Sequence, residues 1–211
     1  MKNIENPDRI KDLKDVNEWI KEGDAHLKLK GYRAAAICYD NALELDPDNT
    51  EIWDNRGVAL AGAGRYAEAI QSFELALDLK PDNSKAWSNM GVSMGALKRF
   101  EEAINCFNRS IDINPDDSDT WNNKGTALFS LSKYQEALES FSEAIKLDPK
   151  NAKAFAGKGS AFRFLGKYKE AIKCFERFIE LAPPELSYQI EEAWAMIFNL
   201  KMILDQESKE K

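Results

Sequence analysis

The chain has 211 residues, of which 44% are hydrophobic and 31% charged, so it holds enough apolar surface for a core and is not a disordered segment. Its 36 acidic and 29 basic residues give a formal charge of -7, which disfavours nucleic acid and anionic membrane as partners, since both are held by clustered Lys and Arg. No run of about 18 apolar residues occurs, so no membrane span is expected.

The chain opens Met1-Lys2-Asn3-Ile4-Glu5-Asn6-Pro7 without the apolar stretch of a secretion signal, and the expected location is cytoplasmic. Residues 1–15 form a charged leader, with Ile10, Leu13 and Val16 as a narrow apolar seam. From there a 34-residue period takes over. Trp19, Trp53, Trp87, Trp121 and Phe155 keep this step, as do Gly23, Gly57, Gly91, Gly125 and Gly159. Tyr32, Tyr66, Phe100, Tyr134 and Tyr168 follow in phase, then Ala35, Ala69, Ala103, Ala137 and Ala171, and Tyr39, Phe73, Phe107, Phe141 and Phe175. Pro47, Pro81, Pro115, Pro149 and Pro183 close the units. The expected units are 16–49, 50–83, 84–117, 118–151 and 152–185.

One unit, Thr50 to Asn83, shows what the residue types dictate. Trp53, Gly57 and Leu60 are four and three residues apart and share one face of a first helix. Gly57 lets a second helix approach where Ala69 is expected to face it. Tyr66 stands by the turn Gly62-Ala63-Gly64-Arg65, and Ile70, Phe73 and Leu77 form the buried stripe of the second helix. Pro81 ends that helix, and Asp82-Asn83 cap the next. The unit is an antiparallel helical hairpin.

The Trp-to-Gly opening, the Ala-x3-Phe segment and the closing Pro resemble the tetratricopeptide repeat. The usual Leu before the glycine is replaced by Glu22, Arg56, Met90, Lys124 and Lys158, whose longer stems are expected to lie along apolar surface. The resemblance implies an all-α fold, a right-handed superhelical solenoid of five hairpins plus a C-terminal capping helix, with a concave face that binds protein or peptide. In the family that face is lined by first-helix residues at the second, fifth, sixth and ninth positions and beyond.

A family clamp for a peptide's terminal carboxylate would need Lys and Asn where Ile20 and Asp24 stand, although Asn55 and Lys85 match, and Arg where Asn89 stands. That clamp is not expected. The sixth position instead carries Asn55, Asn89 and Asn123 in three consecutive units, between Lys21 and Gly157. An amide offers both donor and acceptor, so such a row can bond successive backbone units of an extended chain. It resembles the asparagine ladder in the repeat domain of the O-linked N-acetylglucosamine transferase. An exposed Asn is equally an ordinary surface residue of such a repeat. Beside the row lie Asp54, Val58, Lys85 and Val92, then Asn122, Thr126, Phe129, Lys153, Ser160 and Phe164, and the small Ala61, Gly62, Gly95 and Ala96 are expected to keep the groove open.

No catalytic, cofactor or metal set can be assembled from spacing. His26, the sole histidine, holds an eleventh position filled elsewhere by Leu60, Met94, Leu128 and Phe162, and reads as a packed helix residue. Cys38, Cys106 and Cys174 stand two units apart, too far for a disulfide, and read as small core residues. Gly62-Ala63-Gly64 follows a helix, not the strand of a phosphate loop, and Asp46-Pro47-Asp48-Asn49 lacks calcium-loop spacing. An RNA-reading helical array would need a positive groove. The expectation is no enzyme, cofactor or nucleic-acid partner.

In 186–211, Leu186, Ile190, Ala193, Ile197, Leu200 and Leu204 form one apolar seam, expected to cover the fifth unit ahead of a charged tail from Asp205. Trp194, Phe198 and Met202 form a second row. A leader and a capped end read as a complete unit. The expected function is an interaction scaffold binding an extended peptide or partner helix; the alternative is a structural module that forms a homodimer through the second row. A third, regulatory subunit of an enzyme, stays open.

Overall fold

A computed structural model describes residues 14–209, so all of the leader before Lys14 lies outside the described residues. Two compact units meet in sequence at Ile113 and Asn114. The first holds three hairpins: α1 (Val16–Lys28) with α2 (Tyr32–Leu45), α3 (Thr50–Gly62) with α4 (Tyr66–Leu79), and α5 (Ser84–Ala96) with α6 (Phe100–Ile113). The second holds α7 (Ser118–Ser130) with α8 (Tyr134–Leu147), α9 (Ala152–Phe164) with α10 (Tyr168–Leu181), a 3₁₀ turn at Pro184–Leu186, and α11 (Ser187–Lys209) packed on α10. No strand occurs among the described residues. No helix among them is long and apolar enough to cross a membrane.

Polar side chains at the ends define the first helices. Asp15 accepts from Glu18 N at 2.9 Å while the Glu18 carboxylate accepts from Asp15 N, a reciprocal cap on α1. Asn83 accepts from Ala86 N at 3.1 Å and Asn151 from Ala154 N at 3.0 Å, each satisfying an otherwise orphaned donor of the first turn. Inside every hairpin the turn needs one left-handed residue, and it falls at the same step: Lys30, Gly64, Lys98, Ser132 and Gly166, with φ from 58° to 79°. Glycine meets that demand freely; the other three bear the Cβ cost.

The core of each hairpin is an aromatic ring set into a glycine notch. A Cβ on Gly57 would lie 2.5 Å from the Phe73 ring, and one on Gly91 2.7 Å from Phe107. Gly23 with Tyr39, Gly125 with Phe141 and Gly159 with Phe175 repeat the contact. The glycine is therefore there for the ring four residues after the expected Ala69, which is itself fully buried. Burying one such ring contributes roughly 1.5–3 kcal/mol. The three cysteines are buried free thiols, and burial pushes the Cys106 thiol up to about 11.

In the second unit α11 lays Ala193, Ile197 and Leu200 on Ala171, Ile172, Phe175 and Phe178, with Leu186, Ile190 and Leu204 at the margin. The whole expected seam is thus in contact with the fifth hairpin.

Candidate functional site

The side chains that line the first helices are aimed by a link between hairpins. Trp53 Nε1 donates to the Pro47 carbonyl at 2.7 Å, Trp87 Nε1 to Pro81 at 2.9 Å and Trp121 Nε1 to Pro115 at 2.9 Å. Each indole, fixed at the fourth position, sets the rotation of its helix about the axis. That rotation decides which residues face outward.

The polar residues before the glycine hold the opposite side. Arg56 donates through Nε to Asp40 at 2.6 Å and through Nη1 to Ser72 at 2.7 Å. Lys124 sits 5.1 Å over Trp121. Met90 is buried outright. The stems therefore lie on apolar surface while the charges find partners or rings. In the second unit this side carries a depression of about 720 Å³ lined by Lys124, Lys158 and Lys167 against Glu136, Glu139 and Glu143, a field of mixed sign.

In the first unit Asn55 and Val58 lie on α3 and Lys85, Asn89 and Val92 on α5, two helices in contact. Asn55 and Asn89 are half-buried, Lys85 and Val92 exposed. Asp54 is tied to the start of α5: burial pushes its carboxyl up, and a hydrogen bond from the Asn83 side chain and the Lys85 charge pull it back. Its Oδ1 is buried without a partner.

In the second unit Asn123, Thr126 and Phe129 lie on α7 and Lys153, Ser160 and Phe164 on α9, two helices in contact. Phe129 and Phe164 meet edge to face at 5.4 Å, and Tyr134 stacks on Phe164 at 4.8 Å, an aromatic platform. Lys153, Ala156 and Ser160 also form one wall of a cleft of about 330 Å³ whose other walls include Phe175, Ala193 and Met196. Asn122 is only 8% exposed and packs inside the helix pair.

Among the described residues the side-chain amides of Asn55, Asn89 and Asn123 engage no hydrogen-bond partner, whereas those of Asn49, Asn83 and Asn151 are used in caps and turns. The neighbouring hydroxyls are also occupied. Ser93 donates to Asn89 O, Thr126 to Asn122 O and Ser160 to Ala156 O, each near 3.0 Å. The three amides are thus unengaged groups on this face.

One expectation about small residues is corrected. Gly62 does not open the face, because a Cβ there would lie 2.5 Å from the Tyr32 ring; it makes room for that ring. Gly157 ends the Asn series for a steric reason, since its Cβ would lie 2.5 Å from the buried Phe141 ring. Gly95 does face open space.

Models of the tetratricopeptide repeat match residues 20–84, 60–123, 118–151 and 152–185 in turn. The chain belongs to the tetratricopeptide-repeat family. Among curated proteins, the repeats are 39% identical over 59 residues to the human small glutamine-rich tetratricopeptide repeat-containing protein beta, covering 28% of this chain and 19% of that protein. They are 33% identical over 55 residues to the Protein STIP1 homolog of Dictyostelium discoideum, covering 26% and 10%. The chain thus spans a fifth or less of the length of these relatives.

Solved tetratricopeptide structures share the fold. MamA from Desulfovibrio magneticus RS-1 superposes with a TM-score of 0.73 at 20% identity, covering 79% of this chain and 94% of that one. YrrB, described as a TPR protein with an unusual peptide-binding site, superposes at 0.66 with 24% identity, covering 83% and 91%.

Proposed function

We propose that this tetratricopeptide protein is a non-catalytic interaction scaffold that holds an extended peptide segment of a partner protein on its first-helix faces. The observation that carries the reading is the set of unengaged amides at Asn55, Asn89 and Asn123. Each presents a donor and an acceptor at the same step of the repeat, and so suits the repeating N–H and C=O of a peptide backbone. Val58 and Val92 in the first unit, and Phe129 with Phe164 in the second, supply apolar contact for side chains. Lys85 and Lys153 supply charge at the margin. The peptide-binding description of YrrB and the tetratricopeptide relatives support the same class of partner. The acidic composition supports a protein over a nucleic acid.

The test is affinity selection of a random peptide library on the full chain, followed by titration of the selected peptides against N55A/N89A/N123A. One neutral hydrogen bond is worth about 0.5–1.5 kcal/mol, so three engaged amides at one bond each correspond to roughly 10- to 2000-fold in affinity. Losses of that size across peptides of different sequence support backbone gripping. Affinities within twofold of the unmodified chain refute it.

A second reading rests on α11, where Trp194, Phe198 and Met202 are 55%, 66% and 47% exposed. This row fits a homodimer contact made through the C-terminal helix. Sedimentation equilibrium decides it: a dimer that F198E converts to monomer supports the contact, and a monomer at high concentration excludes it.

A further inference from the structure

Three positions of the hairpin converge in space whatever residues fill them. They are the one before the glycine that recurs in every hairpin, the one four residues after that first position, and the one twelve residues further on, on the second helix. In the second hairpin Arg56 Nη1 reaches Ser72 Oγ at 2.7 Å, and in the third Met94 Sδ lies 3.6 Å from Cys106 Sγ. In the fifth, Lys158 acts electrostatically on the Cys174 thiol. Only in the first hairpin do all three hold side chains of the zinc-ligand types, a carboxylate, an imidazole and a thiol: Glu22 and His26, one turn apart on α1, and Cys38 on α2. Their ligand atoms all lie within 4.8 Å of one another. Cys38 is 5% exposed, while Glu22 and His26 are half-exposed.

We infer that the first hairpin carries a binding site for a borderline-soft divalent transition metal of the zinc class, formed by Glu22, His26 and Cys38.

The donor set is one carboxylate oxygen, one imidazole nitrogen and one thiol sulfur. It suits zinc, which takes all three types and accepts a fourth, open position. A zinc tetrahedron has ligand edges of roughly 3.3–3.8 Å, so side-chain rotations that close about 1 Å complete the shell. Two changes accompany binding: the Cys38 thiol gives its proton to solvent, and Lys14, which donates to Glu22, withdraws its ammonium. The mixture of two half-exposed ligands with one buried thiol gives a metal access from one side only.

The other hairpins supply the variants that test this without breaking the fold. Ser stands at the Cys38 position in the second and fourth hairpins, as Ser72 and Ser140, and Leu at the His26 position, as Leu60 and Leu128. The experiment is a Co²⁺ titration of the full chain under a non-chelating reductant, read by the thiolate-to-cobalt charge-transfer band, with Zn²⁺ competition. Circular dichroism is recorded on every variant. The expected result is one equivalent of cobalt displaced by zinc, no band in C38S, at least tenfold weaker binding in H26L, and tighter binding in K14Q. C106S and C174S keep the band. Absence of a band in the unmodified chain overturns the inference. So does a band that survives C38S or H26L unchanged, or one that depends on Cys106 or Cys174.

Discussion

Adding one methyl group at Gly57 should destabilise the first unit, against the ordinary preference of helices for alanine. In G57A the new Cβ would meet three atoms of the Phe73 ring at 2.5, 2.8 and 2.8 Å, where carbon contacts prefer about 3.5–4.0 Å. Phe73 is 0% exposed and cannot swing aside. Overpacking of this kind costs about 1–3 kcal/mol, and replacing a mid-helix glycine by alanine returns about 1 kcal/mol. The net loss is up to about 2 kcal/mol, or up to roughly 8 °C in Tm for a chain of this size. G95A is the internal reference, because nothing lies within 4 Å of its added Cβ; it should gain up to about 1 kcal/mol. Thermal melts followed by circular dichroism measure both. The double variant G57A/F73L should lose less than the sum of its singles, because the smaller side chain vacates the notch. A G57A melt at or above that of the unmodified protein, or strict additivity in the double variant, would refute the notch.

Three other outcomes follow from the same geometry. N151A removes both the cap on Ala154 N and the bond from its amide to Ser118 Oγ at 2.9 Å, and should cost about 2 kcal/mol in urea unfolding. K98G relieves a left-handed lysine at φ 61° and should raise stability by about 1 kcal/mol; a loss would show that the lysine side chain makes contacts that outweigh its backbone cost. Burial holds the Asp54 carboxyl above its ordinary value of 3.8, so its contribution is best when protonated and declines as pH rises through the raised value. D54N should therefore be more stable than the unmodified chain at about pH 7, with the difference closing by about pH 4, measured by unfolding midpoints.

Periodicity made the hairpins legible because a repeat must present the same residue type wherever the same packing recurs. Trp, Gly, Ala and Pro in phase were enough to place the helices, and Asn83 was legible as a cap from its position after Pro81. The atom-level partners were not. Spacing along α3 puts Gly57 on the inner face but does not say whether Ala69 or Phe73 fills the notch, since both lie on the facing stripe of α4. The same limit applies to Asn122, which adjoins Asn123 in sequence yet turns inward, and to Gly62, which serves Tyr32 of the preceding hairpin. The convergence of Glu22, His26 and Cys38 was hidden for a related reason: twelve residues and a turn separate His26 from Cys38 along the chain, and only the pairing of the two helices brings them together. The indole-to-proline bonds left no trace beyond two columns of conserved phase, because a backbone carbonyl has no letter of its own.

Those bonds also give the protein a set of optical probes. Trp53, Trp87 and Trp121 sit in near-equivalent surroundings, each half-buried and each donating to a proline carbonyl six residues earlier. Trp19 lies under the Lys14 ammonium and Trp194 stands on an exposed face. With all but one indole changed to phenylalanine, as Phe155 already is by nature, fluorescence would report the opening of a single joint. A protein built this way carries its own graduated scale, on which the order of loosening along the chain could be followed joint by joint.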